Sequence, residues 1–221
     1  MAVHGTTTPT GPGGNTPVLV DATRRLEHTA ALDRWVSLLR PAADALVANR
    51  ALADVLHGRQ LGHAAHPILV QAPIGTWASA FVLDLIGGKR SRPAATRLIG
   101  TGILAALPSA LSGLAEWAVT SDGPARRVGV VHAGANTLGL LLYTASYRAR
   151  RRGRHLRGVG LGAVALSVVG ASGFLGGHLA IARKVGTRDP AFADATPSVG
   201  EAATGRHLGD ANGSAGPMPV L

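Results

Sequence analysis

The chain has 221 residues, of which 46% are apolar and 15% charged, with a formal net charge of +10 and no cysteine. That length suffices for one substantial domain, the composition holds too few charges for an ordinary water-soluble protein, and the missing cysteines exclude disulfides, thiolate metal ligands and cysteine nucleophiles. In a soluble chain the positive balance would indicate nucleic acid; here most of the excess flanks apolar segments, so membrane lipids are the expected partner and nucleic acid is not.

Residues 1–20, rich in Thr, Pro and Gly, are expected to form a disordered tail. They contain no basic stretch followed by an apolar core, so no cleavable signal peptide is expected. Across residues 21–60, Leu32, Trp35, Leu39, Ala42 and Leu46 recur at helical spacing among charged residues, which predicts an amphipathic helix lying in the membrane interface or docked on a partner.

The segment 61–188 carries four apolar stretches, each close to the roughly 20 residues that a helix needs to cross a hydrocarbon layer. They run from about Ile68 to Ile86, Leu98 to Val119, Val128 to Tyr147 and Val159 to Ala182. Pro73 is expected to bend the first. Residues 189–221 are polar and rich in Ala, Gly and Pro and are expected to be flexible. The predicted fold class is therefore an all-α membrane protein, a four-transmembrane-helix bundle with an N-terminal amphipathic helix, multi-pass in the cell membrane.

Four crossings place both termini on one side. The stretch 87–97 carries Lys89, Arg90, Arg92 and Arg97, and the next loop on that side carries Arg148, Arg150, Arg151, Arg152, Arg154 and Arg157. Positive-inside reasoning puts these in the cytoplasm and the termini outside.

An unpaired ionisable group inside a span costs on the order of 3 kcal/mol by insertion scales, so each is a candidate for function. His66 opens the first span, Glu116 lies near the end of the second, His132 just inside the third and His178 near the end of the fourth. Because successive helices run in opposite directions, these positions share one membrane level, on the terminus side. Asn136 and Tyr143 continue the face of His132, Ser109 and Ser112 lead to Glu116, and His63 stands three residues before His66. Three readings stay open: an interhelical hydrogen-bond network, a metal or haem site with His66, His132 and His178 as nitrogen ligands and Glu116 as ligand or orienting acceptor, and a proton-handling site.

Asp84 lies at the opposite end of the first span and is expected to pair with Lys89, Arg90 or Arg97. Gly134, Gly139, Gly170, Gly173, Gly176 and Gly177 predict close helix contacts. The last four do not form a nucleotide loop, because they lie within an apolar helix rather than between a strand and a helix.

The ordered set Gly62-His63-Ala64-Ala65-His66-Pro67, Pro73-Ile74-Gly75, Gly113-Leu114-Ala115-Glu116-Trp117, His132 with Asn136, and Leu175-Gly176-Gly177-His178-Leu179 resembles a bacterial membrane-protein family catalogued as domain of unknown function 2231. The resemblance spans roughly residues 60 to 188. It departs at Ala64 and Ala65, at Gln71-Ala72, where members often carry a His-Phe pair, and at Glu116, where they often carry Asp. It implies four membrane crossings and a motif but no reaction; the histidines, and the fusion of some members to iron-sulfur domains, tilt the expectation toward a redox or cofactor-binding module. The expected function is a membrane bundle binding haem or a transition metal in electron transfer, with a redox or membrane protein as partner. The alternatives are a non-enzymatic scaffold whose N-terminal helix recruits a partner and a small proton-coupled transporter.

Overall fold

The structure, a computed structural model, describes residues 17–186, so the tail 189–221 and all but the last residues of the tail 1–20 lie outside it. The order is α1 (Val18–His28), a 3-10 turn (Ala30–Leu32), α2 (Asp33–Val47), α3 (Arg50–His57), a 3-10 turn (Arg59–Leu61), α4 (Ala65–Leu69), α5 (Gln71–Ile86), α6 (Gly88–Val119), α7 (Gly123–Arg151) and α8 (His155–Gly177), which ends in one π-helical turn (His178–Ala182). Among the described residues four helical segments are long and apolar enough to cross a membrane: Ala65–Ile86, Gly88–Val119, Gly123–Arg151 and His155–Ala182. The chain is an all-α membrane protein.

The four spans match the apolar stretches, with differences at their ends. The first is divided at Val70, three residues before Pro73. Proline has no N–H to offer the carbonyl four residues back, here that of Leu69, so the helix breaks one turn ahead of the ring. The second span starts at Gly88 rather than near Leu98, after a Gly87–Gly88 turn in which Gly88 has φ +62° and a Cβ on Gly87 would overlap Ser91. At ~1.5 Å per residue α6 is about 48 Å long against a hydrocarbon layer of ~30 Å. The basic stretch 87–97 is therefore helix that projects past the apolar layer, not a loop, and Arg148, Arg150 and Arg151 likewise belong to the last turn of α7.

Helices α5 with α6, and α7 with α8, form two extensively packed hairpins. The hairpins repeat one pattern. An interval of 66 residues separates Asp84 from Arg150, which form an ion pair; the same interval separates Trp77 from Tyr143, whose rings stack at 4.0 Å, and His66 from His132, whose rings meet edge to face at 6.3 Å. Between these levels Pro73 and Ala80 are buried on the first span, and Gly139 and Ser146 on the third, again at matching positions. This is one heptad-like stripe used twice, in parallel register along the bundle axis. The backbones of α5 and α7 approach less closely than those within a hairpin. Long side chains are what bridge them.

Glycine serves the helix contacts selectively. A Cβ at Gly102 would overlap the Trp77 indole, at Gly139 the Val169 side chain and at Gly158 the Arg150 stem. At Gly134, Gly170, Gly173 and Gly177 it would meet nothing within 4 Å, so close contact does not explain those four positions; of the six expected, only Gly139 and Gly176 are in tight contact.

The amphipathic region is three helices rather than one. Thr29 leaves helical geometry after α1, and Asn49 restarts the chain as the N-cap of α3, its Oδ1 accepting from the Leu52 N–H at 3.1 Å. Of the expected apolar face, Leu32, Leu39 and Leu46 are partly buried, but Trp35 and Ala42 are exposed and Val36 and Ala43 take their place inside. Ala43, fully buried, packs with Val36, Leu39 and Val47 against Trp117, Ala118, Leu114 and Val130. The region is docked on the terminus-side ends of α6 and α7 of its own chain.

Candidate functional site

His66 reaches the bundle interior because α4 turns into α5 there. Its Nδ1–H donates to the Ser109 carbonyl on α6 at 2.8 Å, and its ring lies on Gly113, where a Cβ would come within 2.8 Å of Cε1. His132 on α7 repeats this arrangement in the other hairpin. Its Nδ1–H donates to the Ser172 carbonyl on α8 at 2.8 Å, and its ring lies on Gly176, with Cε1 2.9 Å from a Cβ built there. Ser172 Oγ also donates to the His132 carbonyl at 3.1 Å. In each hairpin the second helix thus supplies a serine carbonyl and, four residues on, a glycine seat: Ser109 with Gly113, and Ser172 with Gly176. Donation through Nδ1 fixes the tautomer and leaves Nε2 of each ring as the nitrogen with a lone pair. His132 Nε2 accepts from Asn136 Nδ2 at 3.0 Å.

Two other residues expected in the cluster are engaged by the N-terminal helices. Glu116 Oε1 pairs with His57 Nδ1 of α3 at 3.2 Å, while Ser112 Oγ donates to the Leu56 carbonyl at 2.7 Å. A polar cleft of about 210 Å³ borders Glu116 and is lined by Asp122, Arg183 and Lys184 as well. His178 donates through Nε2 to Glu27 Oε1 of α1 at 2.7 Å. Glu27, buried at 5% exposure, also accepts from Arg183 Nε at 2.7 Å and Nη2 at 2.6 Å. The Arg183 guanidinium, and next the His178 hydrogen bond, hold the Glu27 carboxyl below the usual range against the opposing effect of burial. Arg127 binds Asp33 through Nε at 2.7 Å and Nη2 at 2.8 Å and holds that carboxyl down as well.

The remaining expectations divide. Tyr143 is three turns from His132 and stacks on Trp77, and its buried hydroxyl has no hydrogen-bond partner among the described residues. His63 is exposed ahead of α4. Asp84 is paired, but with Arg150 Nη1 at 2.8 Å and Nη2 at 2.5 Å, rather than with Lys89, Arg90 or Arg97; His155 Nε2 stands 3.9 Å away. Arg150 points inward because the buried Ser146 Oγ, 3.3 Å from its Nε, and the missing side chain at Gly158 make a channel for its stem. Among the described residues no group of three or more His, Cys, Asp or Glu side chains is arranged to hold a metal ion. Sequence reasoning missed Glu27 and His57 as partners; the repeat of the His, aromatic and charged positions 66 residues apart was a signal available for the bundle itself.

A family model described as "Predicted membrane protein (DUF2231)" matches residues 62–189, more than half of the chain. The chain belongs to this family. No curated protein and no solved structure matches it. The DUF2231 segment contains both hairpins and both histidines of the facing pair but stops short of α1–α3, so Glu27 and His57 come from outside it. The departure from the family at Gln71 lies on an exposed position, where the amide donates to the Pro67 carbonyl at 3.4 Å.

Proposed function

We propose that this DUF2231 protein is a membrane module that holds one metal centre, a single transition-metal ion or a haem iron, between Nε2 of His66 and Nε2 of His132. The observation that carries this reading is the matched anchoring of the two rings, each giving Nδ1–H to a backbone carbonyl of its own hairpin at 2.8 Å. A carbonyl on the far nitrogen orients an imidazole and raises the basicity of the other, as in protein metal sites. The two rings stand next to each other across the bundle, edge to face at 6.3 Å, so small ring rotations would be needed to bring both Nε2 atoms onto one metal. When bound, such a centre supplies one-electron chemistry, and the role is electron transfer within the membrane. The chain's own contribution is to fix the two tautomers and, with α1–α3 docked on the terminus side, to cover the end of the bundle. Asn136 has to turn its amide away from His132 Nε2.

The Asn136 contact favours a second reading, in which His132 is a saturated hydrogen-bonding post that sets the register of α7 against α8 and the chain is a scaffold. Metal analysis and visible spectra of the purified protein, grown with iron and supplied with haem, separate the two. The metal reading expects one equivalent of metal or haem, lost in His66→Ala and His132→Ala and kept in His178→Ala. Apo protein under all conditions, or equal retention in all three variants, would falsify it.

A further inference from the structure

We infer that the arginine pocket at the other end of the bundle, between the end of α7 and the start of α8, binds the phosphate headgroup of an anionic phospholipid. This does not rest on the metal reading. The pocket has a volume of about 190 Å³, and four of its lining residues are Arg148, Arg152, Arg154 and Arg157. All four are exposed, and no ion pair engages any of them among the described residues. The nearest buried carboxylate, Asp84, is already consumed by Arg150. Four cations of one sign around one concavity repel each other, and an anion bound among them relieves that repulsion.

The other wall selects the source of the anion. Ala145, Ala149 and Leu161 line it, and Ala145 and Leu161 lie on the parts of α7 and α8 that run into the apolar stretches. Ala145 is six residues before the end of α7 and Leu161 six after the start of α8, each about 9 Å along its helix at ~1.5 Å per residue. A free phosphate has no use for that wall. A phospholipid does, because its headgroup meets guanidinium groups at the interface while its acyl chain runs down the apolar side. Guanidinium forks also match phosphate oxygens better than ammonium groups do. Four arginines against one phosphate leave charge over, so a lipid with two phosphates binds more tightly than one with a single phosphate.

The test uses the full chain in detergent, with bound lipid counted by native mass spectrometry after addition of cardiolipin, phosphatidylglycerol or phosphatidylcholine. The expected order of retention is cardiolipin, phosphatidylglycerol, phosphatidylcholine. Arg152→Gln with Arg157→Gln should weaken cardiolipin binding by about 30-fold, taking about 1 kcal/mol per basic residue, and each single change by about fivefold should the double variant fail to fold. Arg90→Gln with Arg92→Gln removes the same charge on the same face and should leave binding within twofold. An equal loss in that control would reduce the effect to general electrostatics and overturn the site. Displacement of the lipid by inorganic phosphate at matched phosphate concentration would make it a free-anion site and overturn the lipid assignment.

Discussion

The buried Asp84–Arg150 pair shows how much one contact decides at the scale of a residue. Its side chains are 4% and 1% exposed. Removing one partner of such a pair strands the other charge, at a cost of about 3 kcal/mol. Asp84→Asn is therefore expected to lower the detergent melting temperature sharply, and Lys89→Gln, Arg90→Gln and Arg97→Gln to leave it unchanged; thermal unfolding of the four variants decides between Arg150 and the basic stretch as the partner. Because positions 84 and 150 correspond in the two hairpins, exchange of the charges (Asp84→Arg with Arg150→Asp) should recover part of what Asp84→Asn loses. Tyr143→Phe is the opposite case. It removes a buried hydroxyl that has no partner among the described residues and keeps the stack on Trp77, so it should be neutral or stabilise by up to about 1 kcal/mol in the same assay.

At the scale of the element, α1 and α2 are held to the bundle by a few charged contacts as well as by the Ala43 and Trp117 packing. Glu27 has a folded pKa below its unfolded value, so its contribution to docking is complete above the ordinary carboxylate range and is lost as pH falls through the lowered value. The groups facing it are His178 and Arg183, and Arg183 in turn is 3.4 Å from Asp122. Hydrogen exchange of residues 18–47 should stay slow from pH 7 to about pH 5 and rise below about pH 4. Glu27→Gln should raise it at pH 7, while the four spans stay protected. Exchange in Glu27→Gln equal to that of the parent protein would mean that the apolar contact alone holds the region.

At the scale of the whole molecule the orientation is set by charge outside the apolar layer. Arg150 is neutralised by Asp84, yet Lys89, Arg90, Arg92 and Arg97 with Arg148, Arg151, Arg152, Arg154 and Arg157 remain on one face, and insertion with that face in the cytoplasm is the expected outcome. Single cysteines at Ser121 and Arg151 in this cysteine-free chain test it in intact cells. Labelling from outside at position 121 and not at 151 places the termini outside, and the reverse pattern inverts the bundle.

What the sequence determined by itself follows from solvent. Four stretches that cannot satisfy their backbone in lipid except as helices were legible as spans, and alternation of direction placed His66, Glu116, His132 and His178 at one level. Level along the axis does not fix rotation about it, and the tertiary structure decided that. It turned His66 and His132 toward each other, and gave Glu116 and His178 to His57 and Glu27, partners 59 and 151 residues away in the chain. It gave Asp84 to a residue on the diagonal helix, because a long guanidinium stem could cross the bundle through a channel that Gly158 leaves open, while the basic residues close to Asp84 in sequence lie on a helix that projects out of the membrane. Composition and periodicity report what a segment buries; which polar groups meet depends on packing between segments, and only the folded bundle contains that.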